Sequence, residues 1–173
     1  MRQIIALSCV ALLLSLQATA QQPTDFSGVW EMDPSRSASA LQATPIGPVT
    51  LVINQQSTDL SIETRRKEPG KRALSSEVLT YKIDGPETSN VGSSGVEINA
   101  KARWDGTKLV AETVRKIQGS TVTTTQVFTL DAGGKELTID KTLTVQHGYQ
   151  FPGANNTGAG RDVFVRRKGP GRK

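Results

Sequence analysis

The side chains able to do chemistry are few and scattered. His147 is the single histidine of the chain, and it stands beside Gly148 at the start of a glycine-rich stretch. One histidine cannot complete a metal site, which needs further Cys, His or carboxylate ligands at set spacings. No Asp-x-Asp-x-Asp loop offers a cage for Ca²⁺. No Gly-x-Ser-x-Gly elbow presents a nucleophile that His147 could activate. Gly153, Gly158 and Gly160 precede no helix that could cradle a phosphate. These absences predict a non-enzyme with no metal and no cofactor. Asn155-Asn156-Thr157 fits a glycosylation sequon, which matters only in a eukaryotic secretory pathway.

Lys141 and Gln126 matter more, because of where strand alternation puts them. If Asp105 to Lys108 is a hairpin loop, Trp104 faces Leu109, Ala102 faces Ala111, and Lys101 faces Glu112 on the outer surface. If Leu130 faces Leu137, then Phe128 faces Ile139 and Gln126 faces Lys141. Parity across the middle hairpin lets Ala111 face Gln126. One inward row then reads Ala102, Ala111, Gln126, Lys141. Two small residues leave space, and two polar ones supply donors into it. A buried ammonium needs a partner. That partner is either a ligand's anionic head or Glu77, which shares a face with Leu79 and Tyr81.

The elements that must position these residues are strands. Phe26, Gly28, Trp30 and Met32 share one face; so do Val49, Leu51 and Ile53, then Leu60, Ile62 and Thr64, then Leu79, Tyr81 and Ile83. Turns fall at Gln55 to Thr58, Glu68 to Lys71 and Asp84-Gly85-Pro86. Ser89 to Gly95 is a loop or a weak strand. From Val96 the alternation is regular through Trp104, from Leu109 to Arg115, from Val122 to Leu130 and from Leu137 to Val145. A final strand runs from Asp162 to Arg167. Two connections are long: Asp33 to Pro48, with a short helix expected around Ser37 to Leu41, and His147 to Gly160. Tight hairpins make neighbours in sequence neighbours in space. The expected fold is all-β, a single antiparallel up-and-down barrel of about nine or ten strands, since closure removes exposed edges. A β-sandwich would need more long crossovers.

The N-terminus looks like an address. Arg2 precedes an apolar run from Ile4 to Leu16, and Ala18-Thr19-Ala20 is an A-x-A cleavage site. The run is too short to span a bilayer as a helix, so residues 1–20 read as a signal peptide, with an uncleaved anchor as the alternative. Residues 21–168 form the barrel domain and residues 169–173 a basic tail. Cys9 would leave with the peptide, so the exported chain, periplasmic or extracellular, would fold without a disulfide. The net charge of +5 is gathered partly at the end, in Arg161, Arg166, Arg167, Lys168, Arg172 and Lys173. Without interleaved aromatics or a known motif it does not predict a nucleic-acid partner. No integral membrane segment is expected after cleavage.

Asp25-Phe26-Ser27-Gly28-Val29-Trp30 resembles the first strand of the calycins, the lipocalin-like barrels, with Gly28 and Trp30 as their Gly-x-Trp. The resemblance implies that a basic residue of the last strand packs across the indole: Arg166, with Arg167 as the alternative. The chain is also similar to exported bacterial proteins with a lipocalin-like domain, through Asp33 to Ser37, Trp104 to Val110 and Gly134 to Thr138.

The function these residues predict is non-catalytic binding of a small amphipathic or anionic apolar ligand inside the barrel. Its lining would be Lys141, Gln126, Ala102, Ala111, Tyr81 and Phe128, with the polar head near Lys141 and Gln126. The alternative is a structural or protein-interaction module of the cell envelope with a filled barrel, in contact with partners through its two long loops.

Overall fold

A computed structural model describes residues 23–38, 48–67, 74–148 and 155–167 of the chain. Residues 1–20, expected to be a signal peptide, residues 68–71, expected to be a turn, and residues 169–173 lie outside these described residues. Within them, alternation has become strands: β1 (Gly28–Met32), β2 (Val49–Gln55), β3 (Asp59–Lys67), β4 (Leu74–Lys82), β5 (Thr88–Val91), β6 (Glu97–Asp105), β7 (Lys108–Ile117), β8 (Ser120–Leu130), β9 (Glu136–Gln146) and β10 (Asn155–Arg166). They form one antiparallel ten-stranded sheet in the order β4-β3-β2-β1-β10-β9-β8-β7-β6-β5. That is a meander whose first strand is laced to its last, the up-and-down barrel expected from the hairpins.

One expectation needs correction, and two are refined. The last strand does not start at Asp162: β10 begins at Asn155 and pairs along β9 from Asn155–Gln146 to Val165–Glu136. Gly158 and Gly160 have poor strand propensity, yet the long ladder with β9 overrides it. The weak segment from Ser89 is in part a true strand, β5, paired to β6 through Thr88–Ala100 and Asn90–Ile98. The helix expected around Ser37 to Leu41 lies mostly outside the described residues, and its first two, Ser37 and Ala38, are not helical. A short 3-10 turn occupies Pro34–Arg36 instead, capped by the Asp33 carboxylate, which accepts from the Ser35 N–H. Ser37 is extended, and Ala38 exchanges backbone hydrogen bonds with Arg161 of β10. Pro34 at the first helical position starts the turn, but the β10 edge then recruits the backbone.

The sheet order leaves β4 and β5 as the two outer strands, and no ladder joins them. A side chain does the joining. The Asn90 carboxamide accepts from the Thr80 N–H at 2.8 Å and donates to the Thr80 carbonyl at 3.0 Å. It thus imitates a peptide group of a neighbouring strand. Below it, Asp84 N–H donates to the Ala102 carbonyl, and the Asp84 carboxylate accepts from Trp104 N–H. Gly92 allows the close approach at this seam: a Cβ there would lie 2.9 Å from both Glu77 Oε1 and Ile98 Cδ1.

One end of the barrel is plugged. Trp30 is fully buried, and its indole N–H donates to the Phe26 carbonyl at 2.9 Å. Phe26 stacks on Trp104 and meets Phe128 edge-on, each with ring centres 6.1 Å apart. Arg166 pairs with Trp30 in the β1–β10 ladder, and its guanidinium lies 4.1 Å from the ring centre. The same guanidinium donates to the carbonyls of Ser27 (2.5 Å) and Gly134 (2.7 Å), tying β1, β10 and the β8–β9 turn together. Gly28 is required beneath it, having φ of 143° and no room for a Cβ, which would stand 2.6 Å from Arg166 Nη1.

Arg166→Ala removes two charge-assisted hydrogen bonds and the cation–π contact together. The expected loss is about 2–4 kcal/mol of unfolding free energy, read as a lower urea midpoint with unchanged slope. Arg166→Lys should recover little of it, because an ammonium cannot lie flat on the indole and fork to two carbonyls.

Candidate functional site

The interior rows can be followed strand by strand. Nearest the plug, Trp104, Leu109, Phe128, Ile139 and Asp162 stand in register across β6 to β10. The next row is Ala102, Ala111, Gln126, Lys141 and Gly160, as the hairpin parity predicts. Then come Ala100, Thr113, Thr124, Leu143 and Gly158. Alternation puts all of these on one face because side chains repeat every second residue. On the opposite wall, Leu60–Tyr81, Ile62–Leu79 and Thr64–Glu77 pair across β3 and β4. Tyr81, Ala102, Ala111 and Phe128 all belong to the buried core. Phe128 lies in the row nearest the plug, Ala102 and Ala111 in the next with Gln126 and Lys141, and Tyr81 on the opposite wall. Burial pushes the Tyr81 phenol well above its ordinary value.

Exposure changes along the β8–β9 wall of this interior. Leu109, Phe128, Ile139 and Asp162 near the plug are sealed, at 1 % exposure or less. Further from it, Gln126, Thr124, Val122, Leu143 and Val145 point inward and yet are only half-buried. Lys141 keeps 20 % of its side chain exposed. These half-buried inward residues all lie on β8 and β9, whereas Ile98, Ala100 and Thr113 at the same levels of β6 and β7 are buried. A separate shallow groove of about 290 Å³ lies on the outer wall among Lys101, Arg103, Val110 and Glu112. It is spanned by the Lys101–Glu112 ion pair (2.7 Å), the outward pairing expected from register.

The partner of Lys141 is not Glu77. Its ammonium forms an ion pair with Asp162, which is completely buried one row deeper on β10. Sequence reasoning misses Asp162, although it shares a face with Phe164 and Arg166. Extending that alternation back from Arg166 would have found it. Glu77 instead holds Arg115 of β7 in a fork, with contacts of 3.0 and 2.7 Å, across the seam. Burial pushes the Glu77 carboxyl up, but the Arg115 guanidinium pulls it further down, so it sits below the usual carboxylate value. His147 lies at the far rim, its Nδ1 at 3.2 Å from the Ser120 hydroxyl. No group of three or more His, Cys, Asp or Glu that could hold a metal is found among the described residues. No helix among them is long and apolar enough to cross a membrane.

No family model and no curated protein matches the chain. Solved structures do. The REP1-NXSQ fatty acid transporter is 14 % identical, with a TM-score of 0.50 over 83 % of this chain and 97 % of that one. The secretory abundant heat soluble protein 4 from Ramazzottius varieornatus is also 14 % identical, with a TM-score of 0.50 over 82 % of this chain and 94 % of that one. The fold is that of a calycin-like barrel. The wild-type fluorescent protein UnaG aligns at 19 % identity over 83 % of this chain and 97 % of that one, with a TM-score of 0.45. At these identities the two likenesses with a TM-score of 0.50 speak for the fold alone. The Gly-x-Trp of this calycin-like barrel has its basic partner in Arg166, and Arg167 instead reaches Glu31 on the outside at 3.5 Å.

Because the Glu77 carboxyl is depressed in the folded state, its contribution to stability is present above the unfolded value near 4.5 and fades as pH falls below it. Glu77→Gln should cost about 1–3 kcal/mol at pH 7. The gap between variant and wild type should close on acidification through that window, as measured by urea unfolding at a series of pH values.

Proposed function

We propose that the barrel is a carrier: it takes a small amphipathic or hydrophobic molecule into its interior, without catalysis, after export from the cytoplasm. The observation that carries this reading is the exposure gradient along the inward face of β8 and β9. Inward side chains at one end are sealed by Phe26, Trp30, Trp104 and Phe128, while same-face residues Thr124, Gln126 and Leu143 are reached by solvent. An apolar lining with a few polar groups is the usual form of a small-molecule site. The small side chains of Ala100, Ala102, Ala111 and Gly160 keep its wall thin. A fatty acid transporter among the barrels of the same fold supports an apolar ligand. For export, the support is the charged-apolar-small pattern of residues 1–20 and a remainder free of cysteine.

Thr124→Phe tests the interior. Thr124 is half-buried and faces inward, so an aromatic ring there fills space without displacing sealed core. Binding of an uncharged environment-sensitive dye should weaken at least about tenfold while circular dichroism and the urea midpoint stay near wild type. Equal binding by wild type and variant would place the dye outside the barrel and overturn the reading. Export predicts that N-terminal sequencing of the protein from its own host begins at Gln21; a retained Met1 contradicts it.

A further inference from the structure

We infer that Asp162 sets the class of ligand: the interior accepts uncharged polar heads, such as alcohols or amides on an apolar chain, and rejects carboxylates. The inference rests on the proposed carrier reading and narrows it. Lys141 is the cation that a fatty carboxylate entering along the β8–β9 wall would seek. That cation is already ion-paired with Asp162, whose side chain is completely buried. Across the seam, Arg115 is likewise forked onto Glu77. Each cation is thus already engaged by a carboxylate.

A carboxylate arriving at Lys141 has two options, both unfavourable. It can take the ammonium from Asp162 at the cost of a buried ion pair, or it can lose its own hydration beside a cation already engaged. An uncharged head has an easier place. Gln126 stands next to Lys141 in the β8–β9 register, faces inward and is half-buried. Its carboxamide makes no hydrogen bond to any other described residue. A carboxamide offers both donors and an acceptor, so it satisfies a hydroxyl or an amide without any charge being moved. The Thr124 hydroxyl, one row nearer the mouth, adds a second such group. Discrimination then follows from repulsion as much as from attraction, with Asp162 as the repulsive element.

The experiment uses the full exported chain and two probes of equal tail length, 1-decanol and decanoate, each displacing an uncharged apolar dye at pH 7.5. Wild type should bind decanol at least about tenfold tighter than decanoate. Asp162→Asn frees the Lys141 charge, and decanoate should then gain at least about tenfold while decanol changes little. The double variant Lys141→Gln/Asp162→Asn should keep the preference for decanol. Decanoate binding as tightly as decanol in wild type overturns the inference and leaves the carrier reading intact. Failure of both probes and of the dye to bind overturns the carrier reading itself. Should Asp162→Asn not fold, a pH series on wild type decides: decanoate affinity should rise about tenfold per pH unit toward its own pKa as the neutral acid forms. A flat series overturns the inference.

Discussion

A meander of hairpins becomes a barrel only where its first strand finds its last, and here that meeting is held by one guanidinium. Arg166 lies over the Trp30 indole, donates to carbonyls on two other segments, and tolerates nothing but hydrogen on the Cα of residue 28. The β1–β10 ladder is short, spanning Trp30–Arg166 to Met32–Phe164. Backbone pairing alone would fix its register weakly. The side-chain clasp supplies what the ladder lacks, and a slip by one residue would turn Trp30 and Arg166 outward together. The aromatic plug, and so the blind end of the interior, follows from this contact.

Above the plug the chain manages polarity in a low-dielectric space. Lys141 and Arg115 each meet a carboxylate, and each pair sits where apolar rows give way to half-buried ones. A lone charge at that depth would be costly, and pairing is the condition for having one at all. The ion pairs also cross between segments distant in sequence: Lys141 with Asp162, Arg115 with Glu77. Polar contacts of this kind specify how the walls face one another more sharply than apolar packing can.

The hairpin region was the most legible part of the sequence. Period-two alternation and short turns located β6 to β9, and counting residues around those turns placed Ala102, Ala111, Gln126 and Lys141 in one row. Turn length fixes register locally, so that inference needed no tertiary information. The partner of Lys141 was not legible, because Asp162 belongs to a strand whose first half reads as Asn, Gly and Ala and looks like a loop. Only the long β9 ladder reveals it as sheet. Arg115 and Glu77 meet across the one line where no ladder exists, and pairing rules say nothing about such a junction. Trp30 and Arg166 were found by resemblance to a first-strand motif, and their stacking then gave the motif a physical reason.

The Asn90 bridge makes the wall mechanically uneven. Everywhere else, adjacent strands are laced by peptide groups whose separation would strand donors and acceptors in series. At β4 and β5 the lacing is one carboxamide on an exposed surface, backed by an ion pair and a few backbone contacts at its lower end. Water can replace an exposed carboxamide's bonds at little cost. The cylinder is therefore stiff around most of its circumference and compliant along a single slit, much as a split ring flexes only at its gap. Any widening of its bore concentrates there, leaving the clasp at the far side undisturbed.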